Sequence, residues 1–590
     1  MSAPTRALTR ALSAAFSAAL ADRDVRLPAD EIDPLLQPSR HADFQSNAAM
    51  RLGKRFGVAP RELADAARGR LLADGRDGGP DRSRLLAAVE VAGPGFLNLT
   101  LDDALLAAEL ERMRADPRLG AAEGAAGTVV VDYSSSNVAK EMHVGHLRST
   151  VIGDACVRVL EWTGRTVVRR NHLGDWGTPF GMLIEHLEDL GEAEAARELS
   201  LGDLNAFYRA ARAKFDASEA FRERARTRVV ALQAGEPETR RLWTVLIEQS
   251  RRHFLDVYAR IDVRLDGSEF RGESAYNDAL KDVVEALRAK GLLVTSDGAD
   301  CVYLDGFVGR DGEPLPLIVR KRDGGFGYAA TDLAALRERV AELGATRLLY
   351  VVGAPQRQHF RMVFAAARAL GWLDGGARVE HVGFGSVLGA DGRMLASRTG
   401  GAARLVELLD EAVRRAAVVV AEKSPHLEAA ERARVADAVG IGAVKYADLS
   451  NERTRDYAFD FDRMLALEGN TAPYLQYANA RIRSLLRRAD EEGAAPGALR
   501  VEHAAERELA LALLGFADAV DEVAGSLLFH RLATCLHGLA TAFSRFYASC
   551  PVLGADDPAV RDARLGLAAL TGRTLETGLS LLGIRAPARM

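Results

Sequence analysis

The sequence predicts an α/β protein built on a doubly wound parallel sheet, with a smaller α+β domain before it and an all-α domain behind it. Three observations carry this. The β-branched runs TVVVDY and RTVVRR bracket the helical stretch LRSTVIGDACVRVLEWTG, the strand–helix–strand pattern of a buried parallel sheet. A charge-rich, strand-poor stretch at about 191–300 reads as a helical insertion, after which the sheet resumes at CVYLDGF, LPLIVR, RLLYVVGA and VEHVGFGSVL. From about 420 to 590 the chain is a run of helices without strand signals. The catalytic-type core is therefore Rossmann-like with a helical insertion, and the domains divide at about 1–115, 116–415 and 416–590.

The elements follow in order. The opening MSAPTRALTRALSAAFSAALADRD is an amphipathic helix and not a signal peptide, because Arg6, Arg10 and Asp22 break its apolar positions at helical spacing. A helix over DFQSNAAMRLGKRFG, a helix near Arg61–Arg70, a surface loop at Gly75–Arg84 and one strand through VEVAGPGFLNLTL complete the first region. With 590 residues the chain is too long for a single core. Its 48% apolar and 27% charged residues are those of a soluble globular protein, and no apolar run reaches the roughly 18 residues of a membrane span. Cys156, Cys301, Cys535 and Cys550 form no C-x-x-C pair, which argues against zinc and against a disulfide framework and fits a reducing cytoplasm. A net charge of −5 leaves any nucleic-acid partner to local basic patches. Only 8 of the 77 basic residues are lysines, so the lysine at position 140 stands out.

The chemistry centres on SSSNVAKEMHVGHLRSTVIGD. His143 and His146 flank Val144-Gly145 in a loop that follows strand 129–133 and precedes a helix. Doubly wound sheets bind ligands beyond the carboxyl ends of their strands. The helix start near Gly145 offers free N–H groups and positive potential to phosphates, and the glycine lets a flat base or ribose approach the backbone.

HVGH stands where class I aminoacyl-tRNA synthetases carry their "HIGH" motif. SSSNVAKEMHVGHLRST, NHLGDWGTPFGMLI, GYAATDLAAL, DGRMLASRTGG, LEGNTAPYLQYANARIRS, the terminal LLGIRAPARM and the N-terminal DFQSNAAM…GPGFLNL together resemble the arginyl-tRNA synthetase family over nearly the whole chain. The resemblance implies an ATP-dependent ligation of L-arginine to tRNA(Arg) through arginyl-adenylate. It implies ATP with substrate-borne Mg²⁺, no protein-bound metal, a monomer in the cytoplasm, an N-terminal tRNA-elbow-binding domain and a C-terminal anticodon-binding domain.

The same resemblance assigns residues. His143, Gly145 and His146 bind ATP. The second class I element, "KMSKS", is degenerate at Gly392–Gly400 and lacks its second lysine; Lys140 takes that place, with Ser397 and Arg398 as weaker candidates because an arginine fork does not mimic a lysine's point charge. Asp132, Asn137, Tyr328, Asp332 and Gln356 bind arginine, with Gln358 as the alternative to Gln356. Bidentate carboxylates read a planar guanidinium, which suits Asp332; Tyr328, four residues earlier, shares its helical face. Asp175 and Trp176 shape a turn, and His172 touches ATP or tRNA. On the tRNA side Phe96 and Asn98 alternate along a strand to face a D-loop base, and Tyr474, Tyr477, Asn479, Arg481 and Arg483 form an aromatic and basic cluster. The competing readings are a small-molecule nucleotidylyltransferase and a catalytically inactive synthetase paralogue acting as a tRNA-binding protein.

Overall fold

A computed structural model of the chain describes residues 3–39, 41–74, 85–138, 140–191, 194, 204–309, 311–322, 324–389, 391–395 and 403–590. The N-terminal region packs helices Ala3–Ala21, Ala48–Phe56 and Pro60–Asp74 on an antiparallel sheet of β1 (Leu36–Pro38), β2 (Phe44–Ser46), β3 (Leu86–Ala92) and β4 (Phe96–Leu101), in the order β1-β2-β4-β3. The single strand expected through VEVAGPGFLNLTL is a hairpin. Gly93 and Gly95 take φ of 50° and 137°, and the chain reverses between them.

The central sheet is parallel and four-stranded, ordered β11-β10-β5-β6 from β5 (Thr128–Asp132), β6 (Thr166–Arg170), β10 (Ala345–Tyr350) and β11 (Arg378–His381). Val129 and Val131 face a core shared with helix Val144–Trp162 and the C-terminal helices, while Val130 faces another with Leu333, Phe360 and Phe364. The register puts Asp132, Arg170, Tyr350 and His381 in one row at the carboxyl ends of the four strands. Chain order 5, 6, 10, 11 against this spatial order makes β5/β10 the switch point, where a crevice opens.

Two of the expected sheet strands lie elsewhere. CVYLDGF and LPLIVR are β8 (Ala299–Val308) and β9 (Pro314–Arg320), which join β7 (Leu293–Ser296) in a separate antiparallel sheet. The reason is local: Asp297 and Gly298, at φ 52° and 79°, form the two-residue turn that folds β7 onto β8. The insertion supplies helices Leu204–Ala217, Glu219–Ala234 and Pro237–Arg260.

Six long helices form the C-terminal region, from Leu405–Lys423 to Pro558–Leu581. One of them, Ala429–Leu449, is bolted to helix Val144–Trp162 by buried charge. Arg148 Nε donates to Asp448 Oδ2 at 3.0 Å, with both side chains no more than 1% exposed. Two turns on, Arg158 pairs with Asp154 at 2.6 Å, and buried Lys445 donates to the Ile261 carbonyl at 2.7 Å. Gly583, at φ 67°, seats the C-terminal turn on this cluster; a Cβ there would lie 2.6 Å from Lys445 Nζ.

Candidate active site

The strand β5 delivers Asp132 to the crevice, and the chain then turns through two strained residues. Ser134 and Ser135 take φ of 72° and 47°, a conformation costing roughly 1–3 kcal/mol per residue. Buried hydrogen bonds over-determine it. Ser134 N–H donates to Ser149 Oγ at 3.0 Å, and Ser149 donates to the Val351 carbonyl at 2.6 Å. Ser135 N–H donates to Asn171 Oδ1 at 2.9 Å, and Ser134 Oγ lies 2.7 Å from the Tyr258 hydroxyl. Burial pushes that phenol up to about 12, so it stays protonated. The turn places exposed Asn137 beside Gly174, bridged through Val138 N–H to the Gly174 carbonyl at 3.1 Å.

His143 caps the helix that follows. Its Nδ1 accepts from Gly145 N–H at 3.0 Å, and His146 Nδ1 accepts from His143 N–H at 3.1 Å. With both Nδ1 atoms accepting, the ring protons sit on Nε2 and remain available as donors. Burial, then the Lys140 cation, holds the His143 pKa below the usual imidazole range. Burial, then His143, pushes His146 down to about 3. Both rings are therefore neutral donors at pH 7, set 4.0 Å apart at the N-terminus of a long helix. Lys140 is half-buried, its ammonium 4.5 Å from the Tyr208 ring centroid. A Cβ on Gly145 would meet His143 Cε1 at 2.7 Å. On the resemblance's expectation that ATP binds this loop, Gly145→Ala would displace the ring and cut kcat/KM for ATP about 10²-fold, leaving the KM for arginine within about twofold; pyrophosphate exchange against each substrate checks this. Ser397 and Arg398 lie outside the described residues.

Opposite the histidines the crevice is acidic. Asp332, one turn into helix Tyr328–Ala341, lies 2.6 Å from His359 Nε2. Glu273 joins it from the short helical turn Glu273–Ala279, which the chain reaches by pairing Asn171 with Phe270 alongside β6. Burial, then Asp175 and Asp332, pushes the Glu273 carboxyl up to about 8, opposed by Lys321. Asp175 accepts from Ser274 N–H and Oγ at 2.8 and 2.7 Å, and Trp243 Nε1 donates to its carbonyl at 2.9 Å, long-range ties in place of a contact within its own turn. Tyr328 is 72% exposed and forms the lip. Gln356 and Gln358 are exposed at the start of helix Arg357–Ala369. His172 stacks on Tyr276 with centroids 5.7 Å apart.

Asp132 is placed differently from the other carboxylates. Its Oδ2 is 2.8 Å from Arg339 NH1, both side chains buried, and its Oδ1 accepts from Ser135 Oγ at 3.2 Å. An internal arginine thus occupies one oxygen of the residue expected to meet the substrate. The site thus brings carboxylates from helix Tyr328–Ala341 and the 273–279 turn together with imidazole and ammonium donors from the loop after β5.

Three family profiles match the chain in series: the arginyl tRNA synthetase N terminal domain over residues 6–101, tRNA synthetases class I (R), catalytic domain, over 110–461, and the DALR anticodon binding domain over 475–590. The chain belongs to the arginyl-tRNA synthetase family. Arginine–tRNA ligases of Thermobifida fusca and Azotobacter vinelandii are 53% and 51% identical to it, over 95% of this chain and 96% and 95% of theirs. Crystal structures of arginyl-tRNA synthetases from Plasmodium falciparum and Thermus thermophilus superpose with TM-scores of 0.81 and 0.80 at 26% and 25% identity, each covering 99% of this chain and 99% and 100% of theirs.

The residues expected to meet tRNA lie in two regions, and two of them, Asn98 and Asn479, are buried. Phe96 is half-buried on β4, and buried Asn98 accepts from Gln45 Nε2 at 2.8 Å across to β2. On helix Ala472–Glu491, Tyr477 is 47% exposed, and Arg481, one turn on, sits 4.1 Å from the ring of Tyr547. Tyr474 is half-buried, its hydroxyl 3.4 Å from Ser544 Oγ. Asn479 is buried on the other side of that helix and so cannot join the surface cluster, while Arg483 is spent on Glu576.

Glu273, His359, Arg339 and Tyr258 escaped the sequence reading. His359 follows Gln356 by three residues at a helix start, a spacing that flags it; Glu273 sits in a short turn with no periodic signal.

Proposed function

We infer that this chain joins L-arginine to tRNA(Arg) in two steps, releasing pyrophosphate and then AMP. What supports the reading is the coupling of Glu273 to Asp332 on one side and two neutral histidine donors at the helix start after β5 on the other, in a chain of the arginyl-tRNA synthetase family. The guanidinium pairs with Asp332 and Glu273, with Tyr328 and Gln356 at its sides. Asn137 holds the α-amino or carboxylate end, and Asp132, one oxygen already on Arg339, contacts the substrate through its other oxygen. ATP, entering with its own Mg²⁺, lays its phosphates against Lys140 and the Nε2–H groups of His143 and His146, with its adenosine over Gly145. An arginine carboxylate oxygen attacks the α-phosphorus and the bond to pyrophosphate breaks. Catalysis is positioning plus stabilisation of charge on the phosphoryl oxygens. A terminal ribose hydroxyl of tRNA then attacks the arginyl carbonyl, and AMP leaves. Ser397 and Arg398 are assigned to the triphosphate on their motif alone.

The reading extends to a monomer working in the cytoplasm, with residues 1–115 on the tRNA elbow through Phe96, while buried Asn98 braces the sheet through Gln45, 116–415 catalytic, and 416–590 on the anticodon through Tyr474, Tyr477 and Arg481. No helix among the described residues is long and apolar enough to cross a membrane.

ATP–pyrophosphate exchange with each of the twenty amino acids, with and without tRNA(Arg), tests it. Exchange with arginine alone supports the ligase; no exchange under any condition while tRNA still binds would favour the inactive paralogue. Glu273 adds a pH signature. The free pocket holds its carboxyl protonated below about pH 8, and a guanidinium needs the carboxylate, so binding expels a proton. The KM for arginine should therefore fall as pH rises from 6 towards 8 by up to about tenfold per unit, and level off above. Glu273→Gln should flatten that slope, with Asp175, Asp332 and Lys321 unchanged around it.

A further inference from the structure

Glu141 is a carboxylate in an awkward place. It follows Lys140 and precedes His143 by two residues, in a loop that the reading above gives to a polyanion, and its side chain is only 4% exposed. An unpaired buried charge there would repel phosphate and carry a large desolvation cost. It is instead fully engaged. Arg404 forks onto both of its oxygens through Nε and NH2. Asn205 donates to Glu141 Oε2 at 3.2 Å and accepts from Glu141 N–H at 3.3 Å. The backbone repeats the junction: Val144 N–H donates to the Ala403 carbonyl at 2.9 Å, Leu405 N–H donates to the Met142 carbonyl at 3.0 Å, and His143 bridges Arg404 antiparallel. Arg404 thus pairs with His143 through its main chain and with Glu141 through its side chain. Asn205 and Tyr208, three residues apart on one helix face, hold Glu141 and Lys140 respectively.

We propose that Glu141 and Arg404 are positioning residues for the nucleotide step: their ion pair, seated on Asn205, fixes the loop that presents Lys140 and His143 to ATP. The pair touches no substrate. It removes a like charge from the path of the phosphates and sets the entry angle of the histidine helix, whose N-terminal N–H groups and ring donors must be aimed to within a fraction of an ångström. The proposal rests on ATP binding at the histidine loop.

The test compares wild type with Arg404→Ala, Arg404→Lys, Glu141→Gln and the double variant Glu141→Gln/Arg404→Ala. Exchange kinetics are run with tRNA present, varying ATP and arginine separately, alongside melting curves. Arg404→Ala is expected to lower kcat/KM for ATP about 10²-fold with the KM for arginine within about twofold, and to lower Tm, a loss the double variant partly restores because Glu141→Gln removes the stranded charge. Arg404→Lys keeps the charge but loses the fork, and should recover about tenfold of that. The double variant should be no worse than the poorer single one, since both delete the same contact. Unchanged ATP kinetics, additive losses, or equal losses for ATP and arginine tracking a lowered Tm would overturn the proposal. Hydrogen exchange at the Val144 and Leu405 amides is measured on the same proteins. It should quicken at least about tenfold in Arg404→Ala while the β5 amides hold, and equal protection would sink the clamp. If wild type itself shows no arginine-dependent exchange, the ligase reading fails and the amide measurement decides the clamp alone.

Discussion

Replacing Asp332 with alanine is expected to cut kcat/KM for arginine by about 30–5000-fold, because truncating one partner of a desolvated, hydrogen-bonded charge pair costs about 2–5 kcal/mol. Asp332 is the right residue to try first. It is only 17% exposed as a side chain, it sits one helical turn from the pocket lip, and its one described partner is a histidine that can yield an oxygen to an incoming guanidinium. The loss should fall on arginine and leave the KM for ATP within about twofold, since the histidine loop is held by other contacts. Asp332→Asn keeps the shape, so a comparable loss would show that charge is what matters. It should also lower the pH at which arginine binding levels off, because Asp332 is one of the charges that raise Glu273, although burial, the larger cause, remains. Exchange rates titrated with arginine from pH 6 to 9 check both expectations. An unchanged KM for arginine in Asp332→Ala would remove the guanidinium from this pocket.

Arg148→Ala should produce the largest loss of stability. It would leave Asp448 as a charged group with no exposure at all, and breaking such a pair from one side costs about 3–5 kcal/mol. Arg148 also donates to the Arg455 carbonyl at 3.0 Å and lies 5.2 Å from the Tyr457 ring, so the gap is not easily refilled. At about 2–4 °C per kcal/mol for units of domain size, the melting transition should drop by roughly 6–20 °C. Arg148→Met combined with Asp448→Leu removes both charges and should be milder, which scanning calorimetry on the three proteins would reveal. Equal melting of wild type and Arg148→Ala would mean that the two helices are held by apolar packing alone.

The central sheet and its ligand edge were legible because their causes are local. TVVV must be buried on both faces, the polar residues after it must leave the sheet, and a histidine before an apolar periodic stretch makes a helix cap. The antiparallel sheet was misassigned although its cause was also local, the Asp297-Gly298 turn between two apolar runs. The GPG hairpin was missed in the same way. What could not be read were contacts assembled across the chain. Glu273 comes under the influence of Asp332 only because residues 269–273 pair with 171–173 just past β6, and Arg339 meets Asp132 only once helix Tyr328–Ala341 has packed on the sheet. Nothing in the spacing of Glu273 or Arg339 marks either as part of a site. The raised carboxyl of Glu273 is a property of the packed crevice and has no counterpart in the linear chain.

The buried pair of Arg148 and Asp448 also sets a timetable. The two residues are 300 positions apart, so at about 5–20 residues per second the ribosome releases the acid roughly 15–60 s after the base. Through that interval the histidine-bearing helix exists without the face it is built to bury, and Asp154 and Arg158 wait in the same way for Lys445 and Gly583. The half that carries the histidine helix is therefore expected to keep that apolar face exposed until the last helices emerge. A chain released early by a premature stop would carry every residue of the loop at 134–146 and still lack the C-terminal helix that buries Arg148.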